Sequence, residues 1–195
     1  MEVLDLLRQR MAAYPYNDLP VVLPEAAVLM PFVDQPEPEL ILTVRAQGLS
    51  THAGQVAFPG GKRDPEDLDL RATALRESLE EVGLPDDQVE VVGNLSPVPS
   101  RFGIKVTPFV GLVRPGVSLV PEPGEIESIF HVPLNFFLDQ PPQLSAPVEF
   151  YGRRLRMPSY HYEGKHIWGL TAFMILDLIN HVYDADVRFD LTGER

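Results

Sequence analysis

The chain has 195 residues, 45% hydrophobic and 23% charged, with a formal net charge of −12 and no cysteine. Such a length and balance belong to one globular domain able to bury a core, and no apolar run approaches the roughly 18 residues that a membrane helix needs. The acidic balance excludes sequence-independent nucleic-acid binding, which needs a basic surface, and the lack of cysteine excludes disulfides, thiol nucleophiles and thiolate metal sites.

In chain order, Val3 to Met11 carries apolar residues at 3, 4, 7 and 11 and predicts a short amphipathic helix. Tyr14 to Pro24 is a proline-rich linker. Ala26–Val33 and Leu40–Arg45 are β-rich runs around an acidic turn, Asp34–Glu39, and predict a hairpin. Gln47–Gly54 is a polar loop, and Gln55–Phe58 a short strand stopped by Pro59-Gly60-Gly61. Asp69 is placed as the N-cap of the next helix and Gly83 as its C-terminal stop. Gln88–Asn94, Ile104–Val113 and Ile126–Val132 alternate as strands, with a turn or short helix at Pro133–Leu138. Val148–Met157 and Tyr160–Ile167 predict a hairpin pair, the second with a Glu163-Gly164-Lys165 turn inside it. Trp168 to Tyr183 is an apolar final helix with Leu170, Phe173, Met174, Leu178 and Val182 inward. Many strands around one acidic helix and a closing helix predict a mixed α/β sandwich.

The acidic helix carries the chemistry. Glu77, Glu80 and Glu81 stand at i, i+3 and i+4, within a wedge of about 100°. Ala72, Leu75, Leu79 and Val82 are expected on the opposite, core-facing side. Like charges so spaced destabilise a helix by about 0.2–0.5 kcal/mol per pair, so a divalent cation is the natural counter-charge. Mg²⁺ and Mn²⁺ take oxygen ligands and keep several waters, so two or three carboxylates suffice. Glu77 and Glu81 are spaced to clasp one ion, while Glu80 holds a second or acts through water. Arg76 is spaced to pair with Glu80 and orient it. A solvated acidic face is the alternative reading of the three glutamates alone. Asp64 and Asp67, in the preceding loop, cap helices, hold outer-sphere waters or ligate the ion directly.

The run Gly61-x5-Asp67-x8-Arg76-Glu77-Ser78-x-Glu80-Glu81-x-Gly83-Leu84 resembles the Nudix box, G-x5-E-x7-R-E-U-x-E-E-x-G-U with U aliphatic. Asp67 replaces the first Glu, the second spacer is one residue longer, and Ser78 takes an aliphatic position. Upstream, Ile41-Leu42-Thr43-Val44-Arg45-Ala46-x3-Ser50-x3-Gly54-x3-Phe58-Pro59-Gly60-Gly61 resembles the additional signature of coenzyme A-type Nudix hydrolases, with Ile41 for Leu and Ser50 for a second Arg. Trp168-Gly169-Leu170-Thr171-Ala172 is similar to that subfamily as well.

The resemblance implies a Nudix-type α/β/α sandwich with a mixed central β-sheet and a catalytic helix in a loop-helix-loop. Residues 1–24 would be an N-terminal helix and linker packed on a hydrolase domain of residues 25–195. It implies a Mg²⁺- or Mn²⁺-dependent, cytoplasmic pyrophosphatase splitting coenzyme A or its derivatives into 3′,5′-ADP and 4′-phosphopantetheine or its acyl form. Its metal ligands would be Gly60, through the carbonyl, with Glu77, Glu80 and Glu81; Arg76 would orient them. Glu125, in the strand-edge position of a base or further ligand, matches better than Glu122 or Glu127. Arg45, His52, Gly61 and Lys62 would contact substrate, with His52 or Lys62 covering for Ser50. ADP-ribose, a nucleotide sugar or a nucleoside triphosphate remains the alternative substrate, and a non-catalytic nucleotide sensor the alternative function. The sequence leaves the oligomeric state open.

The remaining groups have plainer readings. The histidines at 52, 131, 161, 166 and 181 show no zinc spacing, and no Gly-x-Ser-x-Gly elbow is present. Trp168 and Phe173 are expected to pack the last helix. Arg101, Lys105, Arg153, Arg154 and Arg156 are candidates for nucleotide phosphates, with ordinary surface charge as the alternative for each.

Overall fold

The structure is a computed structural model and describes residues 3–49 and 51–192; Ser50, where the arginine of the upstream signature is replaced, lies outside the described residues. The elements in chain order are α1 (Val3–Ala12), β1 (Glu25–Val33), β2 (Glu39–Arg45), β3 (Val56–Ala57), β4 (Gly60–Lys62), α2 (Leu70–Val82), β5 (Val89–Asn94), β6 (Val98–Pro99) and β7 (Lys105–Val113). They continue with β8 (Ile126–Pro133), α3 (Leu134–Asp139), β9 (Gln143–Leu144), β10 (Val148–Phe150), β11 (Arg153–Leu155), β12 (Pro158–Tyr162), β13 (Lys165–Trp168) and α4 (Gly169–Tyr183).

The centre is a mixed sheet in the order β3-β2-β1-β7-β5, with β4 beside β1, β6 beside β7 and β8 beside β2. β1 reads apolar without a break because both of its faces are covered. Ala27, Leu29 and Val33 join Ile41, Ala74, Val82, Leu84 and Val113 in a core under α2. Ala26, Met30 and Phe32 join Leu40, Leu42, Val110 and Leu112 in a larger core closed by α1 and α4. Leu4, Leu7 and Met11 bury α1 in that second core. Helices on both faces of a mixed sheet make the α/β/α sandwich.

The expected β1–β2 hairpin pairs only at its turn end. β1 and β2 meet at a single register pair, Phe32–Leu40. β1 runs parallel to β7, from Glu25–Lys105 to Val33–Val113, while β2 runs antiparallel to β8. The strands part because β4 inserts beside the first half of β1, pairing Gly60 with Val28 and Lys62 with Ala26. That insertion delivers the Gly60-Gly61 pair to the middle of the sheet. Further on, β10 pairs with β11 and β12 with β13, the second pair around the Glu163-Gly164 turn expected there. Each closes on a two-residue turn with both φ positive, Tyr151-Gly152 and Glu163-Gly164. Trp168 does not pack the last helix; it lies half exposed and stacks outward on His166 at 6.1 Å between centroids. Phe173 is buried, edge-on to Phe189.

Candidate active site

Both ends of α2 are fixed by local chemistry. The Asp69 Oδ1 accepts the Ala72 N–H at 2.8 Å. Gly83 takes a left-handed conformation, with its N–H on the Leu79 carbonyl and the Leu84 N–H on that of Ser78, the Schellman pattern. The last carbonyls are taken by the following loop: the N–H groups of Val120 and Glu122 donate to Val82 and Glu81 at 3.0 and 2.9 Å. The segment leading to Glu125 is thereby tied to the end of α2.

The helix is rotated from the expected orientation. Its buried residues are Thr73, Ala74, Ser78, Glu81 and Val82, whereas Leu79 is 52% exposed and Ala72 and Leu75 are only half-buried. α2 packs onto β1 and β4 through its small residues, which permit close approach. Ser78 fits there because its hydroxyl donates to the Ala74 carbonyl at 2.7 Å. With that face inward, Glu77 and Glu81 turn toward the sheet, and Glu80 stays in solvent with 59% of its side chain exposed.

Glu81, 3% exposed, accepts the Gly60 N–H at 3.0 Å on Oε2 and Arg45 Nη1 at 3.4 Å on Oε1. Arg45 ends β2 at a β-bulge, where the register with β8 skips Glu127 between Val44–Ser128 and Arg45–Ile126. Bulges re-aim side chains in this way. The Arg45 Nε is buried without a partner. The Glu77 carboxylate lies against the Gly61 backbone, where a Cβ would stand 2.3–2.5 Å from its carboxyl atoms; only glycine leaves that space.

Arg76 braces this arrangement. Its guanidinium grips Asp67 through Nε–Oδ1 at 2.9 Å and Nη2–Oδ2 at 3.0 Å, and its Nη1 reaches both Glu77 and Glu80 at 3.0 Å. Nη2 also donates to the Lys62 carbonyl at 3.2 Å. Asp67 accepts further bonds from the Thr73 hydroxyl and the Asp64 N–H, so its role is bracing. Asp64 accepts the Glu66 N–H within the same turn. The only sequence signal for Asp67 is its place six residues after Gly61.

Glu125 is exposed, and its carbonyl accepts the Ala46 N–H at 2.8 Å; its charge acts on both Glu77 and Glu81. Glu127 instead faces Gln47 at 3.2 Å. The His52 Nδ1 meets Gln55 Oε1 at 2.7 Å and its ring lies edge-on to Phe102 at 5.2 Å. Lys62 is exposed on β4. Of the other cations, Lys105 pairs with Asp18 and Glu25, and Arg153 with Asp190.

Burial pushes the Glu81 carboxyl up to about 7, against the opposing pull of the Gly60 N–H and Arg45, with Glu77 and Glu125 adding repulsion. Burial also raises Glu77, partly offset by Arg76. Arg76 holds Asp67 well below the usual carboxylate range. Among the described residues no three His, Asp or Glu side chains are already gathered around one point. The donors nevertheless fit a hard divalent cation: two half-desolvated carboxylates, a third within the turn, and excess negative charge that a cation would relieve.

Comparison with known proteins agrees with this geometry. The profile of the NUDIX domain matches residues 23–150. The Nudix hydrolase NudL of Photorhabdus laumondii is 47% identical over 157 residues, 80% of this chain and 84% of its own. NudL of Yersinia pestis is 45% identical over 157 residues, 80% of this chain and 79% of its own. A MutT/nudix family protein from Enterococcus faecalis shares the fold with a TM-score of 0.53 over 86% of this chain and 66% of its own, at 14% identity. The Nudix hydrolase RenU of M. smegmatis aligns with a TM-score of 0.50 over 60% of this chain and 74% of its own, at 25% identity. The chain belongs to the Nudix family, as an enzyme of its hydrolase class. Nudix hydrolases act on small nucleotides and generally use divalent metal ions. Among the described residues no helix is long and apolar enough to cross a membrane.

Proposed function

We propose that this enzyme hydrolyses the pyrophosphate bond of coenzyme A and its derivatives, giving 3′,5′-ADP and 4′-phosphopantetheine or its acyl form. The observation that supports the reading is the pairing of Arg45 and Gly60 with one carboxylate, Glu81. Both belong to the upstream coenzyme A-type signature, and Glu81 belongs to the box.

Glu77 and Glu81, with Glu80 and the Gly60 carbonyl, would hold Mg²⁺ or Mn²⁺. When bound, such an ion neutralises diphosphate oxygens and acidifies a water molecule. The chain's own groups do the rest. Asp67 and Arg76 fix Glu77, and the Gly60 N–H fixes Glu81. Arg45 and Lys62 add positive charge beside the Gly61 backbone, where an anionic diphosphate approaches. Glu125, exposed and within range of both buried glutamates, takes the proton of the attacking water as general base. The enzyme works in the cytoplasm.

The test is product analysis on coenzyme A, dephospho-coenzyme A, ADP-ribose, a nucleotide sugar and a nucleoside triphosphate at equal Mn²⁺. Coenzyme A is expected to give the highest kcat/KM. A tenfold or greater preference for another member of the panel replaces this reading with that substrate.

A further inference from the structure

A second group of side chains lies against the loop that joins Arg45 to Gly60 and is not used by the chemistry above. The turn between β6 and β7 is fixed by Ser100. Its N–H donates to the Ile104 carbonyl at 2.7 Å, its carbonyl accepts the Gly103 N–H at 3.0 Å, and its Oγ accepts the N–H groups of Phe102 and Ile104 at 3.2 and 3.1 Å. The Tyr151 hydroxyl adds a bond to the Ser100 carbonyl at 3.3 Å. This braced turn displays two side chains. Phe102 is 54% exposed, and the Arg101 guanidinium lies over its ring at 4.7 Å from the centroid. Arg101 has no carboxylate partner among the described residues, so its donor fork is free.

The Phe102 ring also meets His52, edge-on at 88° and 5.2 Å between centroids. His52 is two residues from Gly54, whose N–H donates to the Arg45 carbonyl at 3.0 Å, and Arg45 reaches Glu81. Phe102 thus touches, through His52, the loop whose two ends, Arg45 and Gly60, both bond Glu81. Residues 46–61, which include that loop, contain no lysine or arginine.

We propose that Arg101 and Phe102 form a recognition clamp for the part of the substrate distant from the scissile diphosphate. Phe102, flanked by His52, packs against a planar base, and Arg101 takes a phosphate with its planar fork. For the substrate proposed above, on which this assignment rests, the base is adenine and the phosphate is the 3′-phosphate of coenzyme A.

The experiment compares binding of 3′,5′-ADP and 5′-AMP by calorimetry with Mn²⁺ present, in wild type, Arg101→Ala, Arg101→Lys and Phe102→Ala. Wild type is expected to hold 3′,5′-ADP about tenfold more tightly, since a charge-assisted contact is lost in 5′-AMP. In Arg101→Ala the two ligands then bind alike, Arg101→Lys restores part of the difference, and Phe102→Ala weakens both. In parallel, Arg101→Ala raises KM for coenzyme A more than for dephospho-coenzyme A. A wild type without preference, or a preference that survives Arg101→Ala, overturns the clamp. A selective, Arg101-dependent binding of 3′,5′-ADP in an enzyme that cleaves ADP-ribose better than coenzyme A overturns the substrate reading and leaves the clamp standing.

Discussion

Asp67 and Arg76 form a two-point ion pair, Nε–Oδ1 at 2.9 Å and Nη2–Oδ2 at 3.0 Å, between the loop before α2 and the middle of the helix. The Asp67 side chain is 6% exposed. The remaining Nη1 of the same guanidinium holds Glu77 and Glu80. One residue thus joins the fold of the loop to the position of two acids in the box.

Asp67→Asn is expected to lower stability by about 1.5–3 kcal/mol, the scale of a charge-assisted bond whose partner is left behind. The carboxyl is held below its unfolded value of about 3.9, so its stabilisation is present above that pH and is lost as pH falls toward the folded pKa. Urea denaturation at pH 7 should show the full gap between wild type and variant, and the gap should narrow below about pH 4. An equal gap at both pH values would mean that charge is not what Asp67 contributes.

Glu81 carries the opposite sign. Its folded pKa of about 7 lies above the unfolded value of about 4.3, so the metal-free fold binds this proton more tightly than the unfolded chain. Stability contributed by this group is present below about pH 4.3 and is lost as pH rises through about 7. Glu81→Gln, which keeps an acceptor for the Gly60 N–H, should therefore stabilise the metal-free protein at pH 8 by about 1–3 kcal/mol. It should also reduce turnover by about 10²-fold or more. Wild-type affinity for Mn²⁺ should rise with pH through about 7, since the cation binds the ionised acid. Thermal melts with and without Mn²⁺, set beside kinetics, check the trade. A variant less stable than wild type at pH 8 would remove the desolvation argument.

What was readable in the sequence was local. The box core, the Asp69 cap and the Gly83 stop lie within one helix and its ends, where i, i+3 and i+4 rules apply. The face that α2 buries was not readable. Leu75 and Leu79 favour one orientation by hydropathy, yet Thr73, Ala74 and Ser78 fit close to β1 and β4, and that contact decides. The parallel partnership of β1 with β7 and the insertion of β4 are pairings between distant segments that no short window contains. Asp67 was visible as a box position, but its grip on Arg76 depends on how the loop folds back. His52 meets Phe102 of the β6–β7 turn, fifty residues further on.

Glu125 and Glu127 separate at the bulge in β8. Glu125 couples to Glu77 and Glu81, and Glu127 lies beside Gln47. Glu125→Gln should lower kcat by about 10²-fold with little change in KM, the pattern of a lost general base. Glu127→Gln should stay within about twofold of wild type. The reverse order of effects in steady-state kinetics would assign the base to Glu127.

The two glycines of β4 should respond differently to alanine. At Gly61 the three atoms nearest to a Cβ would all belong to the Glu77 carboxyl group, at 2.3–2.5 Å. That end is flexible and can swing aside, so Gly61→Ala is expected to fold with a loss of about 1 kcal/mol or less. The displaced carboxylate leaves the metal-binding face, and turnover should fall by about 10²-fold, with Mn²⁺ affinity falling alongside. At Gly60 a Cβ would stand 2.4 Å from the Ala27 carbonyl and 2.6 Å from Val28 Cα, both backbone atoms of the paired strand. β4 would have to separate from β1, so Gly60→Ala is expected to cost about 3 kcal/mol or more through overpacking. Melting curves and Mn²⁺ titrations on the two variants separate these outcomes. If Gly61→Ala kept full turnover, Glu77 would not need its place against the β4 backbone, and its assignment as a ligand would fall.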